Sequence, residues 1–157
     1  MKTASLNIQR SLWRRMVTDL RRRGHGVRES GAFLLGDVEG TKIKHFIPYD
    51  DLDPNALTSG IVSFHGAAFV PLWNFCAQHK MQVLADVHTH GDKWTGQSET
   101  DRTNPMIELP GHLALILPNF AGTSKWSLKG VGIYEYLGDH QWKTWSTRSG
   151  RVKLTVL

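Results

Sequence analysis

The sequence predicts an α/β domain, equally an α+β one, in which strands and helices pack as a layered sandwich. Three observations predict it. Leu12, Met16 and Leu20 recur at helical spacing, with Trp13 and Val17 widening the stripe. Phe69, Leu72, Trp73 and Cys76 form a second such stripe. Between and after them lie short apolar runs, each bounded by Gly, Pro, Asn or Asp, which is how strands are punctuated. The composition is globular, 40% apolar and 21% charged, and 157 residues can close a hydrophobic core without covalent staples. One domain over residues 1–157 is expected, with a core from about 6 to 145.

The first helix is expected from about Ile8 to Arg23, ended by Gly24-His25-Gly26. Glu29 to Gly36 reads as a central strand with Glu29 at its start. Asp37-Val38-Glu39-Gly40 is a hairpin turn, and Thr41 to Tyr49 returns as the partner strand. Asp50 to Ser59 is a polar loop, and Gly60 to Phe64 a short strand or sheet-edge segment. Gly66 to Lys80 is the second helix, its regular part starting near Pro71. Cys76 on its apolar face is a small buried hydrophobe, with nothing to mark it as a nucleophile. Met81 to Thr89 is a strand with Asp86, His88 and His90 on one face and Val83, Ala85 and Val87 on the other. Ser98 to Arg102 starts a helix, with Ser98 and Asp101 at capping spacing. His112 to Leu117 is a strand and Pro118 to Thr123 a loop. Trp126 to Leu128, Val131 to Leu137 and Gln141 to Trp145 make a terminal antiparallel set. Arg148 to Leu157 either adds a strand or trails off.

Several functional classes are excluded or disfavoured. No apolar run approaches the roughly 20 residues that span a bilayer. Met1 to Arg10 lacks the apolar stretch of a signal peptide, and a single cysteine suits a reducing compartment, so a cytoplasmic protein is expected. The net charge is +5, with Arg10, Arg14, Arg15, Arg21, Arg22, Arg23 and Arg28 concentrated at the start. This run reads first as the solvated face and last turn of a helix, where cations suit the dipole. The alternative is an acidic partner or nucleic acid. Nucleic acid is disfavoured, because no aromatic residues interleave the run and no nucleic-acid module motif is present. A zinc deaminase needs His-Xaa-Glu and Pro-Cys-Xaa-Xaa-Cys, and one cysteine rules that class out. His25, His45, His65, His79, His112 and His140 have no ligating pattern and read as ordinary residues.

The chemistry concentrates between His88 and Asp101. Two imidazoles at i and i+2 on one strand face, followed by a loop and a carboxylate, form a donor set that suits zinc. Three protein ligands, His88, His90 and Asp101, leave one tetrahedral position free, as a hydrolytic site requires. Plainer readings exist for each neighbour. Ser98 and Asp101 are also a helix cap, and Glu29 is also a strand-edge carboxylate. Asp86 either orients a ligand imidazole or caps a backbone group. Trp94 either packs on the domain or walls a substrate groove.

The spacing His88-Xaa-His90, seven residues, Ser98, two residues, Asp101 resembles the JAMM motif of the JAB/MPN metalloprotease family at every defined position. Upstream, Glu29-Ser30-Gly31-Ala32-Phe33-Leu34-Leu35-Gly36 resembles the family's glutamate strand, and the order of elements agrees over roughly Leu6 to Leu137. The resemblance implies the MPN/JAB fold, a curved central mixed β-sheet flanked by helices on a cytidine-deaminase-like layer plan. It implies one Zn2+ per chain held by His88, His90 and Asp101. Glu29 would be the general acid/base, and Ser98 the hydroxyl that supports the oxyanion. It implies an isopeptidase or peptidase that cuts after the C-terminal tail of a ubiquitin-like protein. The chain is most similar to compact bacterial members from anti-phage conjugation operons of the Bil or CBASS type. Partners implied are the modifier, its conjugates, and the operon's activating and conjugating enzymes. The modifier's tail is expected to lie along a sheet edge. Its expected walls are Ile61, Val62, Ser63 and Phe64 on one side and Trp94, Thr95, Gly96 and Gln97 on the other. Maturation of a sulfur-carrier protein uses the same residues, and a ligand-free scaffold is disfavoured because all five site residues are present. One position departs from the pattern. Many family members have proline after the second histidine, where this chain has Gly91, which implies a less constrained loop.

Overall fold

The computed structural model describes residues 4–156. A six-stranded mixed sheet runs in the order β3-β2-β4-β5-β6-β7, with β2 Gly31–Asp37, β3 His45–Pro48, β4 Met81–Thr89, β5 Leu113–Leu117, β6 Gly132–Gly138 and β7 Gln141–Trp145. Only the β4–β5 pair is parallel. Helix α1, Arg10–Gly24, covers one face. The other face carries α2, Tyr49–Leu52, and α3, Phe69–His79. The last helix, α4, Glu99–Thr103, lies in the crossover between the parallel strands. Among the described residues no helix is long and apolar enough to cross a membrane.

The alternation of side chains along β2 divides the core. Ala32 and Leu34 point to the α1 side, among Trp13, Met16, Leu20, Leu115 and Ile133. Phe33 and Leu35 point to the α3 side, among Tyr49, Leu57, Phe64, Leu72 and Cys76. Phe33 meets Tyr49 and Phe64 edge-on, with ring centroids at 4.8 and 5.2 Å.

The N-terminal boundary departs from the helical expectation. Ile8 belongs to β1, Leu6–Gln9, which pairs in parallel with β8, Val152–Thr155, as a separate two-stranded sheet. Leu6 and Ile8 alternate with Asn7 and Gln9 at period two, so this stretch fits a strand and the helical stripe begins only at Leu12. Val152 is buried in the α1-side core, which therefore extends past residue 145. The expected strand Thr41 to Tyr49 has two partners. Asn7 and Ile43 anchor its first half to β1, at 2.8 Å in each backbone bond, and only His45–Pro48 pairs with β2. Tyr49–Leu52, part of the expected strand and loop, turns helical instead. Gly60 to Phe64 forms no strand, and Trp126 to Leu128 forms none either. Leu157, in the expected terminal stretch, and Met1 to Thr3 lie outside the described residues.

The face assignment along β4 is corrected by a β-bulge. Leu34 pairs with Ala85 while Leu35 pairs with Val83, so Leu84 is an extra residue. Leu84, Ala85 and Val87 face α1, whereas Val83 joins the α3-side core. Gly36 makes room for the bulge, since a Cβ there would sit 2.6 Å from Leu84 Cδ1 and 2.4 Å from the Lys42 carbonyl. Downstream of the bulge, Asp86 lies opposite Phe33 and His88 opposite Gly31, both on the α3 side.

Candidate metal centre

The site forms where parallel β4 and β5 part at their C-terminal ends, a usual position for function in open α/β sheets. His90 lies one residue beyond β4, and its N–H still donates to the Leu117 carbonyl at 2.8 Å. Its Nε2 is 3.2 Å from His88 Nε2 and 3.2 Å from Asp101 Oδ2, and His88 Nε2 is 3.4 Å from Asp101 Oδ1. Among the described residues, His88, His90 and Asp101 are the group of this kind able to hold a metal ion. One ligand atom from each of the three lies within 4.8 Å of the others, close enough to share one ion.

Orientation supports a ligand role. His90 Nδ1 is 3.1 Å from the Trp94 carbonyl. A carbonyl only accepts, so Nδ1 donates its proton there, and Nε2 is the nitrogen turned towards His88 and Asp101. The Trp94 ring stacks on the imidazole at 5.5 Å. Burial alone would raise the Asp101 carboxyl, but hydrogen bonds from His88 and His90 and from the Ser98 amide hold it well below the usual carboxylate range. Burial alone would lower His90, but the hydrogen bonds to Asp101 and the Trp94 carbonyl, with the charges of Asp101 and Glu29, raise it.

Asp101 is placed by a capping box. Its N–H donates to Ser98 Oγ at 3.0 Å, and the Ser98 N–H donates to its Oδ2 at 2.9 Å. Capping and a site role are thus compatible: Ser98 accepts with its oxygen and keeps its hydroxyl hydrogen for another group. Glu29 lies just before β2, and its backbone N–H donates to the Gly60 carbonyl at 2.9 Å. Its Oε1 accepts from the Val62 N–H at 3.3 Å. The neighbouring residue ties this segment to the histidine strand: the Ser30 N–H donates to Thr89 Oγ1 at 3.0 Å, and the Thr89 N–H to the Ser30 carbonyl at 2.9 Å. Thr89 lies between the two histidines in the chain, so the clamp joins the backbone next to Glu29 to the strand end that bears them.

Asp86 does not touch a ligand imidazole. Its Oδ2 is 2.7 Å from Nε2 of His112, and both side chains are buried. His112, read above as an ordinary residue without a ligating pattern, is thus half of a buried pair. Its pairing crosses from β4 to the start of β5 and leaves no local mark in the sequence.

The expected groove residues separate. Ile61 is 54% exposed and Trp94 55% exposed, on the Glu29 and His90 sides respectively. Val62 and Ser63 are half-buried, in a loop rather than along a sheet edge. Phe64 is corrected: its ring lies in the aromatic core against Phe33, Tyr49 and Phe69, so it cannot wall a groove. Thr95, Gly96 and Gln97 continue the Trp94 loop. Thr95 is pinned to β6, its hydroxyl donating to the Gly130 carbonyl at 2.9 Å and its carbonyl accepting from the Tyr134 hydroxyl at 2.6 Å. Gly96 packs beneath the Trp94 ring.

No family model matches the chain. Solved structures do share its fold. A protein from Desulfitobacterium hafniense superposes with a TM-score of 0.64 at 13% identity, over 95% of this chain and 92% of that one. A JAB1/MPN domain protein from Archaeoglobus fulgidus gives 0.51 at 16% identity, over 91% and 95%. A protein from Salinibacter ruber gives 0.56 at 12% identity, over 89% and 88%. The fold is thus that of a JAB1/MPN domain protein, a mixed sheet flanked by helices, and it carries a His-His-Asp group. That combination fits a JAMM-like peptidase.

Proposed function

We propose that this chain is a zinc-dependent peptidase that cuts after the C-terminal tail of a ubiquitin-like protein. It would release the modifier from lysine conjugates or trim its precursor, in a bacterial conjugation system with its own activating and conjugating enzymes. One observation carries the reading. One ligand atom each of His88, His90 and Asp101 lies within 4.8 Å of the others, and Ser30, next to Glu29 in the chain, is clamped to Thr89 of the histidine strand. Two imidazoles and a carboxylate match zinc's preferences.

Zinc held by these residues supplies Lewis acidity at the scissile carbonyl. Glu29 takes the proton of the attacking water and returns it to the leaving amine. The Val62 amide bonds Oε1, which orients the carboxylate while Oε2 works. Ser98 donates its free hydrogen to the oxyanion. The exposed Ile61 and Trp94 offer apolar contact to the modifier's tail on either side of the cut.

The test uses a ubiquitin-like protein fused through its glycine tail to a C-terminal extension, beside a sulfur-carrier tail fused likewise. Cleavage at the modifier's tail is expected, lost with a chelator and with Glu29→Ala. A Glu29→Ala protein as fast as wild type would overturn the mechanism.

A further inference from the structure

Gly91 lacks the stiffness of proline, yet the loop it begins is tightly held. Directly after β5, Asn119, Phe120 and Ala121 all adopt left-handed backbone, with φ of 55°, 51° and 64°. A Cβ disfavours that conformation, and three such residues in a row persist only where surrounding contacts fix them. Here the fixed partner is the ligand loop. The Phe120 N–H donates to the His90 carbonyl and the Asn119 N–H to the Asp92 carbonyl, each at 2.8 Å. The turn closes on itself through Ala121 N–H to the Pro118 carbonyl at 3.0 Å and Gly122 N–H to the Asn119 carbonyl at 2.8 Å. The Phe120 ring then lies flush on Gly91, where an added Cβ would sit 2.7 Å from its Cζ.

We propose that Phe120 is a positioning residue for the metal ligand His90. The left-handed turn presents its amide to the His90 carbonyl and its ring to Gly91. Together they hold the backbone from which the imidazole reaches His88 and Asp101. Glycine at position 91 and phenylalanine at 120 are one device: the ring occupies the volume that any side chain at 91 would need. The loop is thereby ordered within the chain itself. This rests on the metal-centre reading above, and the experiment separates the two.

The probe is cobalt(II) alone, titrated into the purified full chain and followed by visible absorption, with competition by a chelator to give affinity. Wild type is expected to bind one ion. Phe120→Ala should weaken binding by roughly 10–100-fold, the range for supports that orient a ligand. Gly91→Ala should weaken it too, and the double variant should lose less than the product of the two single losses. Phe120→Leu should recover part of the affinity. With the fusion substrate, kcat should fall while KM holds. Leu154→Ala, on the β1–β8 sheet, should lower the melting temperature without changing cobalt affinity. If Phe120→Ala does not fold, Phe120→Leu and Gly91→Ala carry the same comparison. Wild-type affinity in Phe120→Ala, multiplying losses in the double variant, or an equal loss in Leu154→Ala would each overturn the positioning role. Failure of wild type to bind cobalt would instead overturn the metal centre.

Discussion

The hydroxyl of Ser98 has one oxygen and one hydrogen, and the site uses them apart. The oxygen accepts the Asp101 amide and so starts α4. Ser98→Ala removes that cap, at a cost of about 0.5–2 kcal/mol, and loosens the ligand carried by the same turn. In the proposed mechanism it also removes the oxyanion donor, for which roughly a 10²–10³-fold loss of kcat is expected. Metal titration and steady-state kinetics on one sample should show both losses. Glu29→Gln is different. It keeps the Val62 contact but cannot take a proton, so kcat should fall by roughly 10²–10⁴-fold with metal content unchanged. At this scale the sequence was a good guide to the gathering of His88, His90 and Asp101, because they are marked by residue type and spacing. What it hid were backbone partners. The Trp94 carbonyl that sets the His90 tautomer has no residue-type signature, and neither does the Phe120 amide.

Among the elements, β4 carries the densest information and the least legible feature. Its bounds, Met81–Thr89, follow from its apolar run, but the bulge at Leu84 depends on what β2 does opposite it. The buried Asp86–His112 pair joins β4 to the start of β5. Removing one partner leaves a buried polar group unsatisfied, so His112→Ala should cost about 1–3 kcal/mol in urea unfolding. Replacing both by apolar residues should cost much less. The core on the α3 side gives a pH signature. Burial raises the Cys76 thiol, and burial with the charges of Asp86 and Asp101 raises the Tyr49 hydroxyl. The unfolded chain therefore loses these protons first, and stability falls as pH rises through the unfolded thiol range near about 8.5 and beyond. Urea midpoints measured from neutral to alkaline pH should decline, and less steeply in Cys76→Ala.

At the scale of the molecule, one sheet separates two tasks. The α1 side is a plain apolar core, and the α3 side packs aromatics beneath the site. The layer plan was legible because the helical stripes and strand alternation are local. The β1–β8 sheet was not, since it joins residues about as far apart as the chain permits, Leu6 with Val152. Stopping the chain after Ser149 uncovers Leu6 and Ile8. A lowered melting temperature and faster amide exchange in β1 are expected, while the cobalt site should persist. Much of the early arginine run stays at the surface, and Arg23 draws Asp19, Asp50 and Asp51 together as a local ion-pair network.

The extra residue at Leu84 bears on any attempt to move this chemistry elsewhere. It works as a frame shift: upstream of it odd-numbered Val83 faces α3, and downstream even-numbered Asp86 and His88 do. Excising Leu84 would leave Val83, Ala85, Asp86, Val87 and His88 in regular alternation, each on the face it now occupies. A transplant of residues 88–101 into a regular host strand would therefore have to match the host's pleat, whatever the fidelity of the copied motif.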